Sequence, residues 1–153
     1  MKICVLGAGA WGTALAIHLG KLYSTTLWAR NSGHVSGMKK AESNPLYLGD
    51  FTFPSLLDLE DNLKVALTDV DLIVCAVPTS GFRNILRLIN EINKSTPLIW
   101  ANKGLEQTSA KLPHEIALEE LGDPKKTNRH WGVVSGPSFA AELVRTLPTA
   151  LTL

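Results

Sequence analysis

The sequence predicts an α/β fold: a doubly wound, mostly parallel sheet with helices on both faces. Three observations carry that prediction. Short apolar runs alternate with helix-period segments along the whole length of the chain. One run, Asp-Leu-Ile-Val-Cys-Ala-Val (71–77), is continuously apolar after its first residue, as a parallel strand buried on both faces requires. The first strand-like run passes through closely spaced glycines straight into an alanine- and leucine-rich helix pattern. At 153 residues, with 45% hydrophobic and 19% charged residues, the chain has enough material for one globular domain with a real core.

Taken in order, residues 2–6 read as the first strand, 11–22 as the first helix and 25–29 as the second strand. That completes a strand-helix-strand unit of the expected length, about 30 residues. Residues 31–40 can form a helix, although Gly33 and Gly37 weaken it. Residues 44–54 are rich in turn formers and aromatics and read as an ordered loop, with Tyr47, Phe51 and Phe53 packing it. A short strand is expected near 53–56 and a helix near 59–67. After the strand at 71–77, Pro78 stops the run and Ser80 is the expected cap of a helix reaching Ile92. Residues 97–101 form the next strand, 111–121 a helix ended by Gly122-Asp123-Pro124, and 131–135 a strand. The polar stretch 125–130 reads as a solvated loop. Residues 147–153 read as a last strand, and a chain that stops inside such a pattern is not expected to be a complete protein.

The opening turn, Gly7-Ala8-Gly9-Ala10-Trp11-Gly12, has the Gly-x-Gly-x-x-Gly spacing between a strand and a helix. In that setting Gly7 makes the tight turn, Gly9 lets a pyrophosphate approach the backbone, and Gly12 permits close packing of the helix. Free amides and the positive end of the helix dipole face the phosphates. The fold is therefore Rossmann-like, and NAD or NADP is the expected cofactor, bound at Gly7, Gly9 and Gly12. A rival reading exists for this stretch. Lys2 followed by an uncharged run to Gly20 has the charged start and apolar core of a secretory signal. Three glycines would weaken a signal helix, and 23–28 returns to strand composition instead of a small-residue cleavage site.

About 20 residues past the turn, an acidic residue would grip the 2′-hydroxyl of NAD. This chain has Arg30-Asn31 there, which admits the 2′-phosphate of NADP and does not select strongly for NAD. Pro78, at the carboxyl end of the central strand, should lie beside the dinucleotide. Lys103, in Asn102-Lys103-Gly104 after the next strand, is a flexible cation where nicotinamide and substrate should meet. It can bind a phosphate or polarise a carbonyl. Gly136-Pro137-Ser138 repeats the logic of strand, glycine turn and helix start.

Charge and cysteine usage exclude other classes. Net charge is +1, so no global field argues for nucleic acid or membrane binding, although the first 41 residues carry five basic side chains and no acidic one. Cys4 and Cys75 sit in apolar strands and read as buried thiols in a reducing compartment. The four histidines are scattered and neither cysteine has ligand spacing, so no metal site is expected.

Four segments together closely resemble the bacterial-type NAD(P)-dependent glycerol-3-phosphate dehydrogenases. They are 7–16, Leu-Trp-Ala-Arg (27–30), Asn-Lys-Gly (102–104), and Ser-Gly-Pro-Ser-Phe-Ala-Ala-Glu (135–142) with Leu-Pro-Thr-Ala (147–150). The resemblance covers the amino-terminal cofactor domain alone. It implies reduction of dihydroxyacetone phosphate to sn-glycerol 3-phosphate for phospholipid synthesis in the cytoplasm, without membrane insertion. By motif, Ala10, Trp11, Arg30 and Asn31 would contact the cofactor, and Lys103 would sit between cofactor and substrate. Gly136 and Ser138 would bind the phosphate end of the substrate, and Ala140 would lie on the nicotinamide side. Ala10 stands where the family often has Ser, and Asn102 where Thr is common. The family's catalytic lysine belongs to a carboxy-terminal helical domain outside these residues, so this stretch alone is expected to hold no catalytic residue and to be inactive. Oligomeric state stays open, with a homodimer of the longer parent among the options. Two other readings remain at this point: a related dehydrogenase of ketopantoate reductase or 6-phosphogluconate type, and a non-catalytic nucleotide-binding module.

Overall fold

A computed structural model describes residues 1–49, 51–136, 139–148 and 150–153. Its order is β1 (Lys2–Leu6), α1 (Ala10–Gly20), β2 (Ser24–Trp28), α2 (Ser32–Ala41), β3 (Leu57–Glu60) and α3 (Leu63–Ala66). There follow β4 (Leu72–Cys75), α4 (Thr79–Ile92), β5 (Leu98–Trp100), α5 (Pro113–Leu121), β6 (Trp131–Val133) and α6 (Ala140–Val144). The six strands form one sheet in the order β3-β2-β1-β4-β5-β6, and every pairing between them is parallel. Chain order reverses between β1 and β4, which opens a crevice at their carboxyl ends.

Alternation along β1 divides the core in two. Ile3 and Val5 face a cluster with Ala14, Ile17, Val35, Met38, Leu143 and Val144, beneath α1, α2 and α6. Cys4 and Leu6 face the opposite cluster with Leu67, Phe82, Leu86, Ile89, Trp100 and Ile116, beneath α3, α4 and α5. The aromatic centre of that layer is Trp100, whose ring lies 5.5 Å from Phe82 and 5.3 Å from Trp131. Cys4 and Cys75 are free and fully buried; desolvation pushes both thiols up to about 12, so neither carries a reactive thiolate. Residues 3–20, read also as a signal-like run, are split between the central strand and α1 instead of forming one helix.

Several element expectations need correction. The strand expected near 53–56 begins at Leu57, because Pro54 cannot donate to a ladder while Leu57 and Leu59 alternate inward. The helix expected over 59–67 is one turn long and begins after Asn62, whose side chain accepts from the amides of Lys64 and Val65. The helix expected over 31–40 does form, as α2, despite Gly33 and Gly37, because Asn31 caps it and Val35 and Met38 bury its inner face. The cap of α4 is Pro78, with Ser80 already inside the helix. Residues 147–153 form no strand among the described positions; they meet the sheet edge through one isolated antiparallel bridge, Ser135 to Thr152. Arg129, in the stretch read as solvated, is 1% exposed beside β5, where its Nη1 donates to the Thr96 carbonyl at 3.1 Å.

Candidate functional site

The glycine turn is packed from both sides. Gly7 has φ +108°, a conformation that favours glycine, and a Cβ there would lie 2.9 Å from the Ala76 carbonyl oxygen at the end of β4. A Cβ on Gly12 would lie 1.8 Å from the Gly7 carbonyl oxygen. The third glycine thus lets α1 close on the turn itself, besides the sheet. Gly9 is the contrast: among the described residues no atom lies within 4 Å of its Cβ position. It caps α1 with no side-chain hydrogen bond and no acidic residue in the first turn, so the amides there are left for an outside acceptor. An open backbone above Gly9, backed by a closed turn, fits a dinucleotide pyrophosphate.

Around this turn lie the ends of the other strands. The amide of Gly7 donates to the Trp28 carbonyl at 2.9 Å and that of Ala76 to the Leu6 carbonyl at 2.8 Å, which sets the ends of β2 and β4 on either side. Ala10 and Trp11 begin α1, with Trp11 half-buried against the inner cluster. Arg30 is exposed at the end of β2. Asn31 is engaged locally: its side-chain oxygen accepts from the His34 amide at 2.9 Å.

On the other side of the switch point, Pro78 is exposed at the head of α4. The next residue, Thr79, donates its hydroxyl to the Lys103 carbonyl at 2.8 Å. Asn102 is buried and donates to the Val77 carbonyl at 2.5 Å, while its side-chain oxygen has no partner among the described residues. These two bonds fasten the loop after β5 to the loop after β4. Lys103 is exposed and its Nζ donates to the Gly136 carbonyl at 3.2 Å, so two of the sequence-predicted residues meet directly. Gly136 has a packing reason to be glycine, since a Cβ would lie 2.2 Å from the Ala150 carbonyl oxygen. Ala140 opens α6 and is half-buried against the α1 layer. Ser138 lies outside the described residues. A cavity of about 320 Å³ lies beside Lys103, lined also by Asn102, His114, Val133 and Ser135.

Sequence reasoning missed the supports. Asn44 and Thr13, both fully buried, brace the glycine turn, and Arg83 with Glu106 braces the Lys103 loop. Asn44 was hidden by its setting, because Asn-Pro reads as a turn whatever the side chain does. Among the described residues there is no group of three His, Cys, Asp or Glu that could hold a metal, and no helix long and apolar enough to cross a membrane.

A family model described as the NAD-dependent glycerol-3-phosphate dehydrogenase N-terminus matches residues 2–153. A glycerol-3-phosphate dehydrogenase [NAD(P)+] of Methylobacillus flagellatus is 56% identical over all of this chain and 45% of its own length. One from Aromatoleum aromaticum is 44% identical with the same coverage. The crystal structure of glycerol-3-phosphate dehydrogenase from Coxiella burnetii superposes with a TM-score of 0.88 at 36% identity, over 98% of this chain and 45% of that one. The chain thus spans about half the length of the curated relatives it matches. It belongs to the family of NAD(P)-dependent glycerol-3-phosphate dehydrogenases, of which it represents the N-terminal part.

Proposed function

We propose that residues 1–153 are the dinucleotide-binding domain of a longer cytoplasmic enzyme that reduces dihydroxyacetone phosphate to sn-glycerol 3-phosphate for phospholipid synthesis. The bound NADH or NADPH would supply the hydride. The chain's own work is to bind and orient. Gly7, Gly9 and Gly12 leave room for the pyrophosphate, and the amides of Ala10 and Trp11 donate to it. Arg30 faces the 2′ position of the adenosine ribose, with Asn31 beside it. Pro78 and Ala140 flank the nicotinamide half.

One observation carries this reading. The Lys103 loop is tied by Asn102 and Thr79 to the end of β4, next to the open glycine turn, and its ammonium is directed at Gly136. A fixed cation beside a dinucleotide crevice suits a substrate that bears a phosphate and a carbonyl. Gly136 and Ser138 would take the phosphate end. Proton delivery to the new hydroxyl needs a further group, which the resemblance assigns to a carboxy-terminal helical domain, so this chain alone binds without turning over. No membrane-spanning segment is needed, and a homodimer of the longer parent is compatible with the reading.

The test is a titration of the 153-residue chain with NADH and NADPH by fluorescence, then with glycerol 3-phosphate in the presence of cofactor. Saturable cofactor binding is expected, with phosphate-ester affinity lost in Lys103→Met and Ser138→Ala. Dihydroxyacetone phosphate-dependent NADPH oxidation by the chain alone would contradict the assignment of proton transfer to another domain.

A further inference from the structure

We propose that Asn44 is a positioning residue of the dinucleotide turn: its side chain fixes the peptide plane that presents the Gly9 amide to the pyrophosphate. Asn44 stands 36 residues from Ala8 in sequence and is fully buried. Its Nδ2 donates to the Ala8 carbonyl at 3.0 Å and to the Thr13 hydroxyl at 2.7 Å. Ala8 lies between the first two glycines and Thr13 follows the third, so one amide group holds the strand side and the helix side of the turn together.

The direction of these bonds is determined. The Ala8 carbonyl can only accept, so the nitrogen of Asn44 must face it. Both Nδ2 protons are then used, and Oδ1 is left to accept. Its partner is His34 Nε2 at 3.0 Å, which therefore carries a proton on that nitrogen. The network runs from α2 through Asn44 to the turn. Asn44 is itself held by the amides of Leu48 and Tyr47, which donate to its backbone carbonyl at 2.9 and 3.2 Å. A bridge from Asn44 to Gly49 closes the loop, and the Tyr47 ring packs 5.6 Å from His34.

The consequence follows from peptide geometry. In a trans peptide the carbonyl and the following N–H point in opposite directions. With the Ala8 oxygen drawn toward Asn44, the Gly9 N–H points away from it, on a residue with open space above its backbone. Gly9 has no Cβ to resist rotation of that plane, so the flanking sequence alone does not hold it. Packing alone would not select asparagine here. An apolar side chain of similar size would fill the space without the cost of burying an amide, which only its complete set of hydrogen bonds offsets.

This inference rests on the dinucleotide reading above, and the test separates the two. Three variants are compared with the unaltered 153-residue chain: Asn44→Asp, Asn44→Leu and His34→Ala. Asn44→Asp keeps the shape but turns an oxygen toward the Ala8 carbonyl, and His34→Ala removes the donor to Oδ1 from a half-buried position. Two quantities are read: the amide resonances of Gly9 and Ala10 without ligand, and the affinity for NADPH and for ADP. Folded variants should shift the Gly9 and Ala10 amides while those of α5 stay in place. Affinity for both ligands should fall about tenfold in Asn44→Asp and less in His34→Ala. Unmoved Gly9 and Ala10 amides in folded variants would overturn the proposal, as would shifted amides with undiminished affinity. Absence of NADPH binding in the unaltered chain would instead overturn the dinucleotide reading, and the ligand-free amide shifts would still decide the role of Asn44.

Discussion

Arg83 closes on the buried carboxylate of Glu106 through Nε at 3.0 and 3.2 Å and Nη2 at 2.8 Å. Arg83 lies one turn along α4 from Thr79, whose hydroxyl holds the Lys103 carbonyl. One face of one helix therefore grips the loop after β5 at two points, Lys103 and Glu106. Ser109 adds its hydroxyl to the Glu106 carboxylate, and Arg83 also reaches Glu119 and Glu120 on α5.

The Arg83 hydrogen bonds, helped by Ser109, lower the Glu106 carboxyl from 4.5 to about 2. A carboxyl depressed in the folded state contributes stability above its unfolded value, and that contribution drains away as pH falls toward the folded value. Glu106→Gln should therefore lower the thermal midpoint at pH 7, and the gap from the unaltered chain should close between pH 4.5 and about 2. Melting curves across that range check it. A gap independent of pH would mean that the carboxylate charge does not hold the loop.

Gly9 and Gly12 should respond to the same substitution in opposite ways. At Gly9 a methyl group meets nothing within 4 Å, and φ −76° suits alanine. Gly9→Ala should keep the fold and its thermal midpoint while NADPH affinity falls about tenfold or more, because the methyl would occupy the proposed approach of the pyrophosphate. At Gly12 the methyl would lie 1.8 Å from a backbone oxygen that cannot move independently. Gly12→Ala should cost roughly 3 kcal/mol, the upper end for overpacking, read as a lowered unfolding midpoint.

The contrast between these glycines also marks what a sequence can disclose. Their spacing is a local signal, written in consecutive residues where a strand meets a helix, and so are the apolar runs that became β1, β4 and β5. The supports are contacts between distant positions: Asn44 to Ala8, Arg83 to Glu106, Thr79 to Lys103. Nothing in the composition of residues 44–54 separates a buried asparagine from a solvated turn residue. The shifted start of β3, and the single bridge that 147–153 make among the described residues, also depend on more than local sequence. Pro54 moved the start of β3 to Leu57, while local β-propensity around Phe53 argued the other way.

Arg129 is the clearest case where the fold overrode composition. Its guanidinium is buried, Nε and one terminal nitrogen lack partners, and no carboxylate pairs with it among the described residues. Desolvation accordingly lowers its proton affinity. A buried charge so weakly compensated costs more than an apolar side chain of similar length. Arg129→Met should leave the chain unchanged in fold and more stable by about 1 kcal/mol, measured by urea denaturation. A loss of stability would show that the single bond to Thr96 outweighs the desolvation.

Arg30 stands at the opposite extreme, exposed at the end of β2 and without an ion-pair partner among the described residues. On the proposed reading the Arg30 guanidinium faces the adenosine ribose, where it matters only to a ligand that brings charge there. NADPH carries a 2′-phosphate and NADH does not, so Arg30→Ala should weaken NADPH about tenfold and leave NADH nearly unchanged. The ratio of NADPH to NADH affinity in the unaltered chain should also fall as salt rises, because an exposed pair is screened. Fluorescence titrations of both nucleotides at low and high ionic strength measure the ratio directly. Equal losses for both would mean that Arg30 stacks on adenine instead of pairing with the phosphate.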